Sequence, residues 1–368
     1  MIRRVVLSGG GTGGHIYPAL TIAQEIAALE PTDFLFVGSQ NGMENEIVPK
    51  EGYPFTTLQL RGLERKLTTR NIKSVYWAGK SVTKAMYILK KFAPDVVIGT
   101  GGYVCGPVLM AASMLRIPTL IQEQNVVPGV TNRILSRMVS KIALGYSEAR
   151  PHFHADRKCV VTGNPIRREF LATEREEARR QLDIDPESFV LVVAGGSRGA
   201  RTINQAVKTI LPQIAASDNM TLLMATGIAE YENFMQDLPS SWRASSQRIR
   251  IQPYLHDMPQ VVAAADLAVY RAGAIGIAEL TAKGIPAILI PYPYATADHQ
   301  RFNAKVLENH GAAVMIENNN LKGHLLWQII DNIRTNSQLH QQMRKASLAL
   351  GKPQAGQKIA ELALSLVR

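Results

Sequence analysis

Three glycine-rich segments of the sequence have the residue types and the spacing to bind phosphate. They span residues 9–15, 195–200 and 271–276, and each follows a short apolar run and precedes a helix-like pattern. Glycine lets backbone amides approach an oxyanion closely, and the first turn of a helix presents unpaired N–H groups and a partial positive charge. The three segments therefore predict turns that hold the phosphates of a substrate or nucleotide.

The first segment, GGGTGGH, lacks the spacing and the Lys-Ser/Thr ending of an ATP-binding P-loop, which argues against an ATPase. It contains the Gly9-x-Gly11-x-x-Gly14 spacing of dinucleotide-binding folds, so a nicotinamide or flavin dehydrogenase stays open as an alternative. His15 follows the last glycine, and a histidine titrates near neutral pH. We expect His15 to act as a general base, the alternative being a capping or core histidine.

The second and third segments add side chains that suit a nucleotide. Ser197 and Arg198 supply a hydroxyl and a guanidinium for a diphosphate. Glu279 falls one turn into the helix that follows the third segment, where a carboxylate can accept hydrogen bonds from ribose hydroxyls. The alternative for Glu279 is a surface glutamate favoured by the positive end of the helix dipole.

A polar cluster at residues 298–303, DHQRFN, combines amides with an imidazole. Such side chains suit the hydroxyls and the acetamide of an amino sugar, and His299, Gln300 and Asn303 are the candidates. We expect neither a metal ion nor a cofactor. Neutralising a diphosphate would then fall to helix ends and arginines.

The elements that must position these residues form a repeating pattern of apolar runs and helix-like stretches. In the first half the runs are residues 5–7, 34–37, 96–98 and 119–121. The pattern restarts at residues 189–193 and continues at 222–224, 267–270 and 287–291. Because parallel strands joined by crossover helices have this spacing, we predict an α/β protein with two doubly wound, Rossmann-like parallel sheets.

The length of 368 residues corresponds to two domains of ordinary size. The turn-forming residues TGNP at 162–165 mark the junction. We predict an N-terminal domain over residues 1–163, a C-terminal domain over 164–340, and a helical tail over 341–368 that packs back on the N-terminal domain.

The composition is that of a globular protein, with 46% hydrophobic and 19% charged residues. No apolar run reaches the ~18 to 20 residues that span a bilayer. The N-terminal apolar stretch is too short for a signal peptide, and the two cysteines, Cys105 and Cys159, fit a reducing compartment. We therefore expect a cytoplasmic location.

The net charge of +11 is concentrated in one segment, since Arg61 to Lys91 holds nine basic residues and one acidic residue. Treated as a helix, residues 72–92 separate an apolar face from an opposite face with lysines and two aromatic residues. This arrangement predicts contact with an anionic membrane surface, and a solvated lysine face is the alternative. The residues concerned are Lys73, Trp77, Lys80, Lys84 and Tyr87.

Taken as an ordered set along the whole chain, the motifs resemble a family of bacterial GT-B glycosyltransferases. Members of that family transfer N-acetylglucosamine from UDP-GlcNAc to the muramoyl-pentapeptide carried on undecaprenyl pyrophosphate, an inverting, metal-independent step of peptidoglycan synthesis. The segments that carry the resemblance are residues 9–15, 101–107, 123–125, 162–167, 195–197, 271–279 and 298–303.

The resemblance implies two domains facing across a cleft, with the lipid acceptor on the N-terminal side and the nucleotide mainly on the C-terminal side. The implied donor-binding residues are Arg167, Ser197, Leu255, Gly273, Ala274, Glu279, His299, Gln300 and Asn303. The implied acceptor-binding residues are Thr12, Gly13, Gly14, Tyr103 and Asn125. Glu123 becomes a second candidate for the general base, and the sequence does not separate it from His15.

Two positions depart from the family pattern, Ala272 where serine is frequent and His299 where glutamine is frequent. The alanine at 272 bears on the diphosphate contacts, and the histidine at 299 bears on the preference for the transferred sugar. The resemblance places the protein peripherally on the cytoplasmic face of the cell membrane, with UDP-GlcNAc and the undecaprenyl-linked muramoyl-pentapeptide as substrates.

Two other functions stay open. One is a UDP-sugar transferase that acts on another lipid, such as diacylglycerol. The other is a nucleotide-regulated protein that binds nucleic acid through the basic segment. No RNA-binding aromatic motif or helix-turn-helix signature supports the second, so we expect no nucleic-acid partner.

Overall fold

The computed structural model describes residues 2–59, 70–196, 199–239 and 247–367, and within residues 70–78 it describes the course of the helix only. The chain divides into two compact units. The first unit comprises Met1–Ile166 and Pro353–Arg368, and the second comprises Arg167–Lys352.

The first unit is built on a seven-stranded sheet whose strands are all parallel, in the order β3-β2-β1-β4-β5-β6-β7. The strands are β1 (Arg3–Gly9), β2 (Thr32–Ser39), β3 (Phe55–Leu58), β4 (Val96–Gly101), β5 (Thr119–Glu123), β6 (Lys141–Leu144) and β7 (Cys159–Val161). The helices are α1 (Gly13–Leu29), α2 (Glu44–Lys50), α3 (Arg70–Phe92), α4 (Cys105–Met114) and α5 (Val130–Leu135).

Both faces of this sheet are covered, which explains why its strands are apolar runs instead of alternating ones. On β1, Val6 packs into one core cluster with Leu89 of α3 and Leu109 of α4. Its neighbour Leu7 points to the opposite face and packs with Ile22 of α1. Successive side chains of the strand therefore stabilise helices on opposite sides of the sheet.

The second unit repeats this architecture with a six-stranded parallel sheet, in the order β10-β9-β8-β11-β12-β13. The strands are β8 (Phe189–Ala194), β9 (Met220–Ala225), β10 (Ile249–Gln252), β11 (Leu267–Tyr270), β12 (Ala287–Leu289) and β13 (Ala313–Met315). Its described helices are α6 (Arg168–Ala172), α7 (Arg175–Gln181), α8 (Arg201–Ala216), α9 (Ile228–Gln236), α10 (Met258–Ala264), α11 (Ala274–Ala282), α12 (His299–Asn309), α13 (Gly323–Thr335) and α14 (Ser337–Leu350).

Helix α8 shows how the sequence pattern fixes this packing. Its buried apolar residues recur every three or four positions, so they form one stripe that faces the sheet. These residues are Ile203, Ala206, Val207, Ile210, Leu211 and Ile214.

The strand order places a topological switch point in each unit, between β1 and β4 in the first sheet and between β8 and β11 in the second. Open α/β sheets bind ligands just beyond the carboxyl ends of the strands at such a point. The three glycine segments predicted from the sequence follow β1, β8 and β11 and therefore lie at the two switch points.

The last helix, α15 (Ala355–Leu364), returns to the first unit, where Ile359, Ala360 and Ala363 are fully buried in the core beside α1. The boundary predicted between residues 340 and 341 falls inside α14, twelve residues before the observed change of unit between Lys352 and Pro353. Helix α14 belongs to the second unit because it packs on α11 and the hydroxyl of Ser347 donates a hydrogen bond to the carbonyl of Ile285 (2.9 Å).

Within the described ranges, no helix combines the length and apolarity that crossing a bilayer would need.

Candidate active site

The first glycine turn leads from β1 into α1 at the switch point of the first unit. Gly11 adopts a positive φ of 83°, which glycine tolerates and other residues rarely adopt. Thr12 then caps the helix, and its carbonyl accepts from the N–H of His15 (3.0 Å). Gly11, Thr12 and Gly14 are exposed, so the turn presents backbone to a ligand.

His15 is held with a defined ring orientation. Its Nδ1 lies 3.0 Å from the carbonyl oxygen of Gly10. Because a carbonyl only accepts, Nδ1 carries the proton and Nε2 is the proton-accepting atom of the neutral ring. A Cβ at Gly101, the last residue of β4, would lie 2.6 Å from Cδ2 of this ring. Position 101 must therefore be glycine for the imidazole to fit.

The turn after β4 packs against the first glycine turn. The N–H of Gly10 donates to the carbonyl of Gly101 (3.3 Å), and a Cβ at Gly102 would meet the Gly10 carbonyl at 2.5 Å. Gly101 and Gly102 both have positive φ. Tyr103 follows them and is 67% exposed, so it is available to a ligand at this switch point.

Glu123, the other candidate base, is only 1% exposed at the end of β5. One carboxylate oxygen accepts from the N–H of Asn125 (2.9 Å) and the other from the N–H of Gly129 (3.1 Å) and Nδ2 of Asn132 (2.8 Å). The carboxylate therefore shapes the loop that carries Asn125. This geometry favours His15 over Glu123 as the proton acceptor.

A buried glutamate that the sequence analysis missed also touches the first turn. The fully buried Glu44 accepts at Oε2 from the N–H of Gly11 (2.9 Å) and at Oε1 from the N–H (2.9 Å) and hydroxyl (2.6 Å) of Ser39. Burial by itself raises the pKa of Glu44, but these hydrogen bonds outweigh it, and the pKa lies below its ordinary value. No sequence motif indicates this residue, because its hydrogen-bond partners, two backbone N–H groups and the Ser39 hydroxyl, lie on other elements.

The second glycine turn, between β8 and α8, keeps positive φ at Gly196 and Gly199. A Cβ at Gly199 would collide with the carbonyl of Thr226, whereas at Gly196 it would meet open space. Gly199 therefore lets the turn pack tightly on the end of β9. The predicted diphosphate ligand Ser197 and its neighbour Arg198 lie outside the described residues.

The third turn joins β11 to α11, with Gly273 as the N-cap and Ala274 as the first helical residue. Gly273 supplies no side-chain cap, and its own N–H donates to the carbonyl of Arg271 (2.9 Å). A helix N-terminus without a side-chain cap is suited to binding an anion. Asn303 is fully buried and its Nδ2 donates to the carbonyl of Ala272 (3.2 Å), which supports the turn from α12. Arg271 donates to Oδ1 of Asn318 (2.8 Å) and to two nearby carbonyls.

Glu279 and Arg167, both predicted to bind the donor, form an ion pair in the second unit. Nη2 of Arg167 lies 3.1 Å from Oε1 of Glu279, and its guanidinium also stacks 4.6 Å from the ring centre of Phe170. Glu279 is 7% exposed. Burial raises its pKa to about 7 although Arg167 opposes the shift, so this carboxyl group changes protonation near neutral pH.

The polar cluster at 298–303 lies at the start of α12. The Oε1 of Gln300 accepts from the N–H of Tyr292 (2.9 Å), and Nδ1 of His299 donates to the carbonyl of Thr296 (2.8 Å). Asp298 has a left-handed backbone with φ of 54° at the helix N-cap. These contacts fix the segment that carries the predicted sugar-binding side chains.

The Leu255 side chain is buried after β10, and the backbone role predicted for it stays a prediction. In the parts of the chain that the structure describes, no three His, Cys, Asp or Glu side chains form a group that could hold a metal ion.

Two family descriptions match the chain in the order of its two units. The glycosyltransferase family 28 N-terminal domain matches residues 5–144, and the glycosyltransferase family 28 C-terminal domain matches residues 190–361. The two matches include all three glycine turns and most of both sheets, whereas β7 (Cys159–Val161) lies between them.

Named relatives extend over nearly the whole chain. A UDP-N-acetylglucosamine–N-acetylmuramyl-(pentapeptide) pyrophosphoryl-undecaprenol N-acetylglucosamine transferase of Desulforudis audaxviator is 45% identical, covering 98% of this chain and 97% of its own. The enzyme of that name from Acetivibrio thermocellus is 43% identical over 99% of this chain and 98% of its own. The crystal structure of Acinetobacter baumannii MurG is similar at a TM-score of 0.78, with 27% identity and 99% of each chain covered. The chain therefore belongs to glycosyltransferase family 28 and has the GT-B class of fold, with two parallel-sheet units.

Proposed function

We propose that this protein transfers N-acetylglucosamine from UDP-GlcNAc to N-acetylmuramyl-(pentapeptide) pyrophosphoryl-undecaprenol, with inversion at the anomeric carbon. The observation that carries the proposal is the 43–45% identity to transferases of that name along nearly the whole chain. The product is the lipid-linked disaccharide that peptidoglycan synthesis consumes.

In the proposed reaction the acceptor sugar's hydroxyl attacks the anomeric carbon of the donor. The new bond joins that carbon to the acceptor oxygen, while the bond from the carbon to the UDP oxygen breaks. Nε2 of His15 takes the hydroxyl proton, which leaves an imidazolium held at Nδ1 by the Gly10 carbonyl (3.0 Å). The departing UDP keeps the electron pair, and its charge is stabilised by helix amides and a guanidinium.

The donor belongs to the second unit in this proposal. Its diphosphate lies at the amides of Gly273 and Ala274, where α11 begins with a partial positive charge. In this proposal Arg167 contacts the diphosphate and Glu279 accepts from the ribose hydroxyls. Their ion pair supports the assignment, because it joins Arg167 to the helix that begins at the third glycine turn. Ser197 and the Leu255 backbone complete the nucleotide contacts.

His299, Gln300 and Asn303 are proposed to recognise the transferred sugar. His299 and Gln300 each use one polar atom to hold the local backbone. Nε2 of His299 can then accept from a sugar hydroxyl, and Nε2 of Gln300 can donate to a sugar hydroxyl or to the acetamide oxygen. Asn303 acts mainly by supporting the diphosphate turn through Ala272.

The acceptor belongs to the first unit. We assign its pyrophosphate to the exposed turn of Thr12, Gly13 and Gly14, with Tyr103 and Asn125 beside it. Glu123 keeps Asn125 in place through two hydrogen bonds from that residue.

We also propose that the first unit docks on an anionic membrane, which gives access to the lipid acceptor. On α3, Ala85 and Leu89 are buried in the core while Tyr87 is 68% exposed and Lys84 is exposed, as the helical periodicity predicts. Lys80 is exposed on the same helix, whereas Lys73 and Trp77 have side chains outside the described residues.

Helix α5 and the residues just after it add a second exposed surface that combines apolar and basic side chains, and α4 packs against both α3 and α5. Apolar residues flanked by cations favour the boundary between headgroups and acyl chains. The exposed residues are Val130, Arg133, Ile134, Arg137 and Met138.

Co-sedimentation with vesicles containing anionic lipid tests this docking. Changing Lys73, Lys80 and Lys84 to glutamate should abolish most binding at low salt, because each basic residue near such a surface contributes about 1 kcal/mol. The matched control changes three exposed lysines of the second unit to glutamate, which alters the net charge equally: Lys322, Lys345 and Lys352. Equal loss in both variants, or undiminished binding in the first, would rule out this patch.

Product analysis tests the function itself. Radiolabelled UDP-GlcNAc is mixed with the protein and a muramoyl-pentapeptide acceptor on an undecaprenyl or shorter isoprenyl chain, with diacylglycerol as the competing acceptor. We expect the label on the muramoyl acceptor in a β linkage. Label on diacylglycerol, or none on either lipid, would overturn the proposal.

A further inference from the structure

One peptide group of the first glycine turn joins Glu44 to His15. The Gly11 N–H donates to Oε2 of Glu44 (2.9 Å), and the Gly10 carbonyl of the same peptide accepts from Nδ1 of His15 (3.0 Å). In a trans peptide the N–H and C=O point in opposite directions, so the carboxylate and the imidazole bind its two ends. The path from carboxylate oxygen to Nδ1 is ~8 Å along these two bonds and the peptide.

The carboxylate of Glu44 is built into this position. Its side chain is fully buried, and a Cβ added at Gly10, Gly38 or Gly42 would collide with it. Ser39 contributes two further hydrogen bonds to Oε1. Because these donors hold the pKa of Glu44 below its ordinary value despite burial, the group is a fixed negative charge at neutral pH.

A negative charge at the N–H end polarises the peptide and increases the negative charge on its carbonyl oxygen. That oxygen then accepts the Nδ1 proton of His15 more strongly. The effect fixes the tautomer in which Nε2 takes the proton, and it stabilises the imidazolium that forms when the acceptor hydroxyl is deprotonated.

We propose that Glu44 is a positioning residue that orients His15 and increases its basicity through the peptide group between Gly10 and Gly11. The catalytic consequence rests on the proposed role of His15 as general base. The effect of Glu44 on the pKa of the His15 imidazole does not depend on that role. The pKa effect and its catalytic consequence can therefore be tested separately.

Other titratable groups lie around the same turn. The Cys105 sulfur lies within hydrogen-bonding distance of the carbonyl oxygens of Ser8 (2.7 Å) and Gly101 (2.9 Å), which share its one S–H. Burial raises the pKa of this thiol to about 11, so it stays neutral across the range in which histidine titrates. The Tyr17 ring faces Gly13.

The direct test is an NMR titration of the His15 imidazole in the full-length protein, with its signals assigned by their loss in His15→Gln. In Glu44→Gln we expect the pKa of His15 to fall by about half to one unit, because a neutral amide replaces the charge. Ser39→Ala is the matched control, since it removes the 2.6 Å hydrogen bond to the same carboxylate and keeps the charge. It should leave the titration of His15 close to wild type.

Glu44→Asp guards against a folding defect in the glutamine variant. It retains the charge on a shorter side chain and should restore most of the His15 pKa. An unchanged His15 pKa in Glu44→Gln, or the same fall in Ser39→Ala and Glu44→Asp as in Glu44→Gln, would overturn the proposal whether or not the protein is a transferase.

Kinetics then test the catalytic consequence. The acidic limb of the kcat/KM profile should move to lower pH in Glu44→Gln, with a loss of about three- to tenfold in kcat, within what a weaker general base accounts for. In a His15→Gln background the same change should have no further effect. A full additional loss in that background would show that Glu44 acts only on folding, and a transferase that is fully active without His15 would instead refute the base assignment.

Discussion

At the scale of single residues, the hydrogen bonds of His15 and Glu123 make the two side chains differ in their suitability as a proton acceptor. The Nδ1 contact of His15 directs its basicity to Nε2. Both oxygens of Glu123 accept from the loop at residues 125–132, so protonating or moving this carboxylate would disturb the loop. We therefore expect substitution of Glu123 to affect folding or acceptor binding before it affects proton transfer.

His15→Ala should lower kcat by about 10² to 10⁴ because it removes the proton acceptor. Binding of UDP-GlcNAc should be unchanged, since the proposed donor contacts lie in the second unit. Steady-state kinetics and isothermal titration of the donor check both parts. The exposed His154 offers a control, and His154→Ala should keep wild-type turnover. Near wild-type turnover in His15→Ala would remove His15 from this role.

Glu279 should make donor binding depend on pH. Its pKa of about 7 means that the carboxylate, which accepts from ribose hydroxyls, forms as the pH rises through neutrality. Affinity for UDP-GlcNAc should therefore increase by about tenfold between pH 6 and pH 8, following the ionised fraction. The diphosphate of this ligand is esterified at both ends and does not itself titrate in the range.

Isothermal titration of wild type and Glu279→Gln across this pH range checks the assignment. The variant should bind more weakly at pH 8 and show little pH dependence. If affinity rises equally with pH in both proteins, the pH dependence comes from a group other than Glu279.

Some of these residues can be predicted from the sequence and others cannot. Residues 9–15 and 271–279 are recognisable because glycine and a polar side chain must follow one another directly at a strand end. Glu44 has no such signal, since Gly10, Gly38 and Ser39 surround it only after β1 and β2 pair. Contacts of this kind come from tertiary packing and cannot be predicted from local spacing.

At the scale of elements, strand positions were predicted better than element ends. The run at residues 5–7 lies inside β1, and residues 267–270 coincide with β11. Helix α1 begins at Gly13, inside the first glycine segment, where Thr12 is the N-cap residue, and Pro18 is accommodated within its second turn. The three-residue strands β7 and β13 were missed, whereas β12, of the same length, was found because it opens the longer apolar run at residues 287–291.

Helix α15 gives an element-scale prediction about stability. Ile359 is fully buried in the core of the first unit, so Ile359→Ala should destabilise that unit by about 2 to 5 kcal/mol through lost burial and a residual cavity. Urea unfolding checks the effect, with the exposed Lys358→Ala on the same helix as control. A change below ~0.5 kcal/mol, the range of ordinary surface substitutions, would show that the helix is not docked as described.

At the scale of the whole molecule, the restart of the strand pattern at residue 189 predicts the second sheet. A restart of the strand pattern indicates a second domain because each unit must bury its own hydrophobic core. The end of the second unit was placed too early, at residue 340, since nothing local distinguishes α14 from α15. Only the burial of Ser347 against one unit and Ile359 against the other separates these helices.

The central claim is that the sugar nucleotide binds at the switch point of the second unit while the first unit supplies the base. A crystal structure of the protein with UDP-GlcNAc tests it most directly. We predict diphosphate oxygens within hydrogen-bonding distance of the first amides of α11 and ribose hydroxyls on the carboxylate of Glu279. A nucleotide bound instead at residues 9–14 of the first unit would contradict the account.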